Sequence, residues 1–207
     1  MPERRSAAEF VPARGGLAAL RRAAAGCQGC DLYRGATRTV FGEGPARARV
    51  VMVGEQPGDR EDVEGHPFVG PAGKLLDRAL VAAGLERAEI YFTNAVKHFK
   101  FEQRGERRIH KQPARGEVVA CTPWLVAELK LVRPELVVCL GAVAAKALLG
   151  PSFKVSEHRG AVDRVTVGDG EYAVLTTVHP SAVLRSDDRE AAFEEFVRDL
   201  EGVSGAL

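Results

Sequence analysis

The sequence predicts an α/β fold, a three-layer α/β/α sandwich around a central four-stranded parallel sheet. Four apolar runs, at residues 50–53, 90–92, 136–140 and 173–178, are continuous rather than alternating, as expected of strands covered on both faces. Helical patterns fill the intervals, at residues 17–25, 73–83, 116–131, 142–148 and 189–200. Strand followed by helix, repeated, implies parallel strands joined by right-handed crossovers. At 207 residues the chain suits one domain spanning 1–207.

Taken in order, the helix at 17–25 leads into Cys27 and Cys30, a C-x2-C pair. The first strand, RVVMV, runs into GEQPGDREDVEGHPFVGPAG, residues 54–73. Ligands in open α/β sheets sit beyond the carboxyl ends of strands, where Gly and Pro let the backbone approach closely and loop residues supply chemistry. Glu55 and Gln56 occupy that place, although a tight turn with a solvated Glu would look the same. Phe68, in a loop dense in Gly and Pro, either plugs the core or offers a flat face to a planar ligand. Gly84 and Gly150 are plausible helix stops. Asn94 ends the second strand, either as a cap or as an amide aimed at a ligand.

The longest irregular stretch is expected at 97–115. Its seven Lys or Arg, at 97, 100, 104, 107, 108, 111 and 115, face only Glu102 and Glu106, in a chain of net charge +1. Phe99 and Phe101 interleave with those bases, a pattern suited to nucleic-acid backbones and stacked bases, or simply a solvated charged loop. Bulk charge and a hydrophobic content of 45% exclude a histone-like binder and a disordered chain, so a polyanion site must be local. The N-terminus lacks an apolar signal region and no run is long enough to span a bilayer, which points to the cytoplasm.

A reducing compartment argues against disulfides among the four cysteines. Cys121 lies in a helical stretch and Cys139 in LVVCL, seventeen residues intervening. They read as two core thiols beside one metal-like pair, or as four ligands to zinc or to an iron-sulfur cluster; spacing does not separate these. The fourth strand ends at His179, in HPSAVLR. Glu55, Gln56, Phe68, Asn94 and His179 together can read a pyrimidine: a stacking face, an amide for the imide edge, and a donor to a carbonyl that gains charge as the base departs.

Those segments resemble the uracil-DNA glycosylase superfamily over nearly the whole length. GEQPG (54–58), GHPFVGPAG (65–73), TNAVKH (93–98) and HPSAVLR (179–185) match its motifs, and the cysteines are similar to those of the iron-sulfur family 4. Gln56, where family 4 typically has Ala, and RGERRIHKQP (104–113) resemble family X (UdgX). The resemblance implies uracil excision from DNA, with covalent attachment of His110 to the anomeric carbon of the deoxyribose. It implies catalytic roles for His110, Glu55, His179 and Gln56, and uracil contacts from Phe68, Asn94, Gln56 and His179. It also implies DNA contacts from Arg107, Arg108, Lys111, Ser181 and Arg185, and a [4Fe-4S] cluster on Cys27, Cys30, Cys121 and Cys139. The chain departs from family X at Glu106, where that loop commonly begins with Lys, a change that bears on affinity before chemistry. Glu55 would orient His110, accept its proton or stabilise the oxocarbenium ion. The expected partner is uracil-containing DNA, preferably single-stranded because unpaired uracil costs less to expose, acted on by a monomer. The rival readings are a hydrolytic, multiple-turnover family 4-like glycosylase and a non-catalytic nucleic-acid-binding protein with a structural metal.

Overall fold

The computed structural model describes residues 5–207. In chain order its main elements are α1 (Leu17–Ala24), β1 (Val50–Gly54), α2 (Asp59–Glu64), α3 (Pro71–Ala82), β2 (Ile90–Asn94), β3 (Phe101–Arg104), β4 (Arg107–His110), α4 (Arg115–Val132), β5 (Leu136–Leu140), α5 (Ala142–Leu149), α6 (Val155–His158), β6 (Val162–Val167), β7 (Gly170–Thr177), α7 (Pro180–Leu184) and α8 (Arg189–Gly205). The helix expected at 73–83 begins two residues earlier because Pro71, at the first helical position, has no N–H to leave unsatisfied there.

Strands β2, β1, β5 and β7 are the four expected strands and run parallel in that order. A fifth, β6, was not anticipated; it pairs antiparallel with β7 at the sheet edge. Its sequence, VDRVTV, alternates and is half exposed, so it lacks the continuous apolar run that marks the other four. The stretch expected to be irregular at 97–115 contains the antiparallel β3–β4 hairpin, turning at Gly105 with φ +60°. Its two four-residue strands carry mostly charged side chains and give no apolar signal.

Side chains alternate across the sheet. Val50 and Met52 of β1 pack with Leu76, Leu80 and Phe196 on one face, where α3, α7 and α8 lie. Val51 and Val53 pack with Leu125, Leu129 and Ala144 on the other, beneath α4 and α5. Each fully buried large aliphatic or aromatic side chain contributes about 1.5–3 kcal/mol relative to exposure. A third cluster, around Trp124, joins α1 and the segment at Phe41 to α4. Because β1 connects onward to β2 on one side while its other neighbour, β5, connects onward to β6 and β7 on the opposite side, the chain leaves the adjacent carboxyl ends of β1 and β5 in opposite directions, which opens a crevice there. No helix among the described residues is long and apolar enough to cross a membrane.

Candidate active site

A cleft of about 570 Å³ opens beyond the carboxyl ends of β1, β2 and β7, lined by Gln56, Phe68, Asn94, His110, His179 and Arg185 among others. Asn94 lies opposite Gly54 in the β1–β2 register. A Cβ on Gly54 would collide with Asn94 Oδ1 and come within 2.7 Å of Phe68 Cζ, so only glycine lets these two side chains meet. Asn94 is buried, and its side-chain amide makes no hydrogen bond to any described residue. Both its donor and its acceptor are free for a ligand edge.

Phe68 has φ +57°, a left-handed conformation costly for a bulky side chain and typical of residues held by function. Glu61 Oε1 accepts from Gly70 N–H at 2.7 Å, and Arg87 donates to the carbonyl of Pro67 at 3.3 Å, which pins the loop. The ring packs at 60° against Phe92, centroids 5.8 Å apart, and also forms a cleft wall. The core position expected as one alternative is what the structure shows, and the same ring lines the cleft.

His179 caps α7. Its Nδ1 accepts from the Ser181 backbone N–H at 3.2 Å and lies 2.8 Å from Ser181 Oγ. A backbone N–H can only donate, so the proton of the neutral ring sits on Nε2. Burial, with His110 and Arg185 nearby, lowers the His179 pKa to about 4. The ring therefore offers a neutral Nε2–H donor at pH 7. Gly141, at φ +91°, allows the close approach, since a Cβ there would lie 2.9 Å from the His179 Cβ.

His110 ends β4, half exposed at the cleft. Gln56 seats it. Gln56 Oε1 accepts from Lys100 N–H at 2.9 Å, while its Nε2, which carries two hydrogens, donates one to the Lys111 carbonyl at 2.9 Å, with the Lys100 carbonyl at 3.3 Å as a longer, shared acceptor. Those contacts fix the amide orientation, so Nε2, 2.9 Å from His110 Nε2, is the donor and the imidazole presents its lone pair there. Burial, with Arg185, keeps the His110 ring below the usual imidazole value. Glu55 Oε1 is buried without a hydrogen-bond partner among the described residues and stands 3.5 Å from His110 Nε2. Burial raises the Glu55 pKa, with Arg185 opposing. The arrangement holds a neutral imidazole nitrogen and a carboxyl group at the same end of the cleft.

The hairpin carrying His110 is latched to α2. Arg108 Nη1 meets Asp62 Oδ2 at 2.6 Å and its Nε meets Asp59 Oδ1 at 2.6 Å, while the guanidinium lies 5.2 Å from the Phe101 ring centroid. Asp59 and Asp62, three apart, share one helix face. This latch was missed in the sequence. Arg108 is accordingly engaged within the protein rather than free for DNA. Lys97, counted above with the solvent-facing bases, is fully buried against Glu128. Phe99 is buried and stacks on Phe101 at 5.2 Å, so neither ring is a free base-stacking platform. Lys111 pairs with Glu102 at 2.6 Å and Lys100 with Glu117 at 2.9 Å. Arg107 and Arg185 are exposed with no ion pair among the described residues, and Arg185 and Ser181 line the cleft. The positive surface is smaller than the residue count implied.

Three of the four cysteines converge. Trp124 Nε1–H donates to Cys27 Sγ at 3.2 Å and Lys97 N–H to Cys121 Sγ at 3.3 Å. The Cys30 thiol is raised by burial and by Cys27, and that of Cys121 is pushed up to about 12 by burial, with Cys30 and Cys27 adding to it. Cys139 stands apart. It is fully buried among Val51, Val53 and Ala144, on the sheet face under α4 and α5, and burial alone pushes its thiol up to about 12. The four-cysteine ligand set is therefore corrected to three. His98 supplies a nitrogen donor in the same region: it follows Lys97, lines a small cavity with Cys27, and burial lowers its pKa to about 4. Among the described residues no three such side chains grip a single metal ion, whereas a four-iron cluster takes its ligands one to each iron.

Residues 41–201 match the Uracil DNA glycosylase superfamily. The chain is 36% identical to a type-4 uracil-DNA glycosylase from Archaeoglobus fulgidus, covering 86% of each chain. It is 35% identical to one from Pyrobaculum aerophilum, over 84% of this chain and 86% of that one. A third, from Thermotoga maritima, is 36% identical, over 79% and 81%. Together with a cleft built at the strand ends of a parallel sheet, these matches make the chain a member of the uracil-DNA glycosylase superfamily, akin to its type-4 branch.

Proposed function

We propose that this protein excises uracil from DNA and is captured on the product through His110. The observation that carries the reading is the seating of a neutral imidazole, its Nε2 lone pair held by Gln56, in the same cleft as Phe68, Asn94 and His179. The target nucleotide is flipped from the stack, its base lies against Phe68, and the free amide of Asn94 pairs with the imide edge. The bond from the anomeric carbon to uracil N1 breaks, and its electron pair leaves with the base. His179 Nε2–H donates to the uracil oxygen that gains that charge, a contribution of about 3 kcal/mol in a water-excluded site.

His110 Nε2 then forms a bond to the anomeric carbon, giving up its hydrogen bond from Gln56. The alkylated ring sheds its Nδ1 proton and becomes a neutral imidazole, a poor leaving group, so the protein stays attached. The Glu55 carboxylate, 3.5 Å from His110 Nε2, stabilises positive charge on the sugar. Arg185 and Arg107 contact phosphates, and single-stranded DNA, already unpaired, is the preferred partner of a monomer. Cys27, Cys30 and Cys121, with His98 as the fourth ligand, would hold a [4Fe-4S] cluster. When bound it serves as a cross-link between the N-terminal segment and α4.

The likeness to type-4 enzymes favours a second reading, in which water replaces His110 and the enzyme turns over. A denaturing gel of the protein with a labelled uracil-containing single-stranded oligonucleotide separates them. A uracil-dependent band that survives heat and detergent supports attachment. Abasic DNA in excess of protein without that band overturns it in favour of hydrolysis, and neither product overturns both.

A further inference from the structure

We infer that Lys97 is a positioning residue for uracil recognition, acting through the backbone of Asn94. The inference rests on Asn94 reading the base, as proposed above. Lys97 is fully buried, and all three of its ammonium donors are spent inside the protein. Nζ donates to the Asn94 carbonyl at 2.8 Å, to Thr93 Oγ1 at 2.6 Å and to Glu128. Glu128 is equally buried and gathers the Gly42 N–H, Tyr91 OH and Thr93 OH, each at 3.0 Å.

A buried ion pair is weak evidence for stability, because desolvation offsets much of the attraction and apolar replacements often serve as well. What an apolar side chain lacks is a donor for the Asn94 carbonyl. That carbonyl belongs to the peptide unit just past β2, whose N–H, on Ala95, donates to the Gly54 carbonyl at 2.9 Å, and from there the Asn94 amide enters the cleft without a hydrogen-bond partner among the described residues. That amide is aimed by its backbone and by its packing against Gly54 and Phe68, and Lys97 grips the backbone at the Asn94 carbonyl. The backbone N–H of Lys97 meanwhile donates to Cys121 Sγ, so the short segment 94–97 is tied at one end to the base-reading amide and at the other to the converging thiols.

The test uses the folded holoprotein and two ligands, free uracil as a competitive inhibitor of excision and abasic-site DNA that carries no base. Lys97→Met alone strands the Glu128 charge, so the informative variant is Lys97→Met/Glu128→Gln, which removes both charges and keeps an acceptor for Gly42 and Tyr91. The expected result is an inhibition constant for uracil about tenfold weaker, the scale of losing one charge-assisted hydrogen bond, with affinity for abasic DNA within about twofold. An unchanged inhibition constant overturns the inference. So does an equal loss for both ligands, which would mark Lys97 as merely structural. Asn94→Ala is measured alongside: if it leaves uracil inhibition untouched, Asn94 does not read the base and the parent reading fails as well. A loss in Asn94→Ala but not in the double variant removes the role of Lys97 alone.

Discussion

Asp62→Asn loosens the hairpin that carries His110 without touching the cleft. The Asp62 side chain is fully buried, takes the Thr37 N–H on both oxygens at 3.0 Å, and holds Arg108 Nη1 at 2.6 Å. Breaking a buried ion pair outright costs about 3–5 kcal/mol. The asparagine carbonyl keeps the Thr37 bond, and Arg108 keeps Asp59, which is 58% exposed, so the loss is smaller. Converting one charge-assisted hydrogen bond to a neutral one removes about 1.5 kcal/mol, roughly a tenfold drop in the ratio of seated to unseated hairpin. The assay is single-turnover reaction with uracil-containing oligonucleotide, scoring free abasic product and covalent band together. The branching ratio should move by up to about tenfold toward free product, because in the proposed reaction base departure rests on Phe68, Asn94 and His179 whereas capture rests on where His110 sits. An unchanged ratio would refute the latch, and equal slowing of release and capture would show that Asp62 only supports the fold.

His110→Ser should abolish the covalent band while uracil is still released, as water reaches the sugar; a retained band would exclude His110 as the nucleophile. His179→Ala should slow uracil release by about 10²–10³-fold, the usual effect of deleting a donor to developing charge, measured in single turnover. Because His179 has a folded pKa of about 4, below the 6.5 of an unfolded imidazole, the unfolded chain binds more protons between those values. Stability to urea should therefore fall as pH drops from 6.5 to 4 and this contribution should level off below; a His179→Gln variant with an undiminished slope would contradict it. Cys139→Ala should retain full iron and sulfide content, at a modest stability cost, whereas Cys121→Ser should lose it; iron loss in Cys139→Ala would restore that residue to the ligand set.

The four parallel strands were legible because both their faces are buried, which forces continuous apolar runs. The cleft was legible because its loops need Gly54, Gly58, Gly70 and Pro71 at strand and helix ends, and such backbone demands leave a mark in sequence. Strand β6 and the hairpin were not, since exposed strands of charged residues resemble loops. Counting charge failed for Lys97 and Arg108: their partners, Glu128 and the Asp59–Asp62 pair, lie 31 and some forty-odd residues away, and only the fold brings them together. The cysteines failed for a related reason. Spacing is silent about which sheet face a strand residue occupies, and Cys139 points into the face packed by α4 and α5.

The amide of Gln56 reaches both chain ends of the β3–β4 hairpin and the imidazole at once. Transplanting the Arg-Arg-Ile-His segment into a related scaffold with a methyl group at that position would carry over the reactive ring but not its aim. A designer who wants that imidazole seated the same way elsewhere in this fold needs the loop, the amide and the two α2 carboxylates as one portable unit.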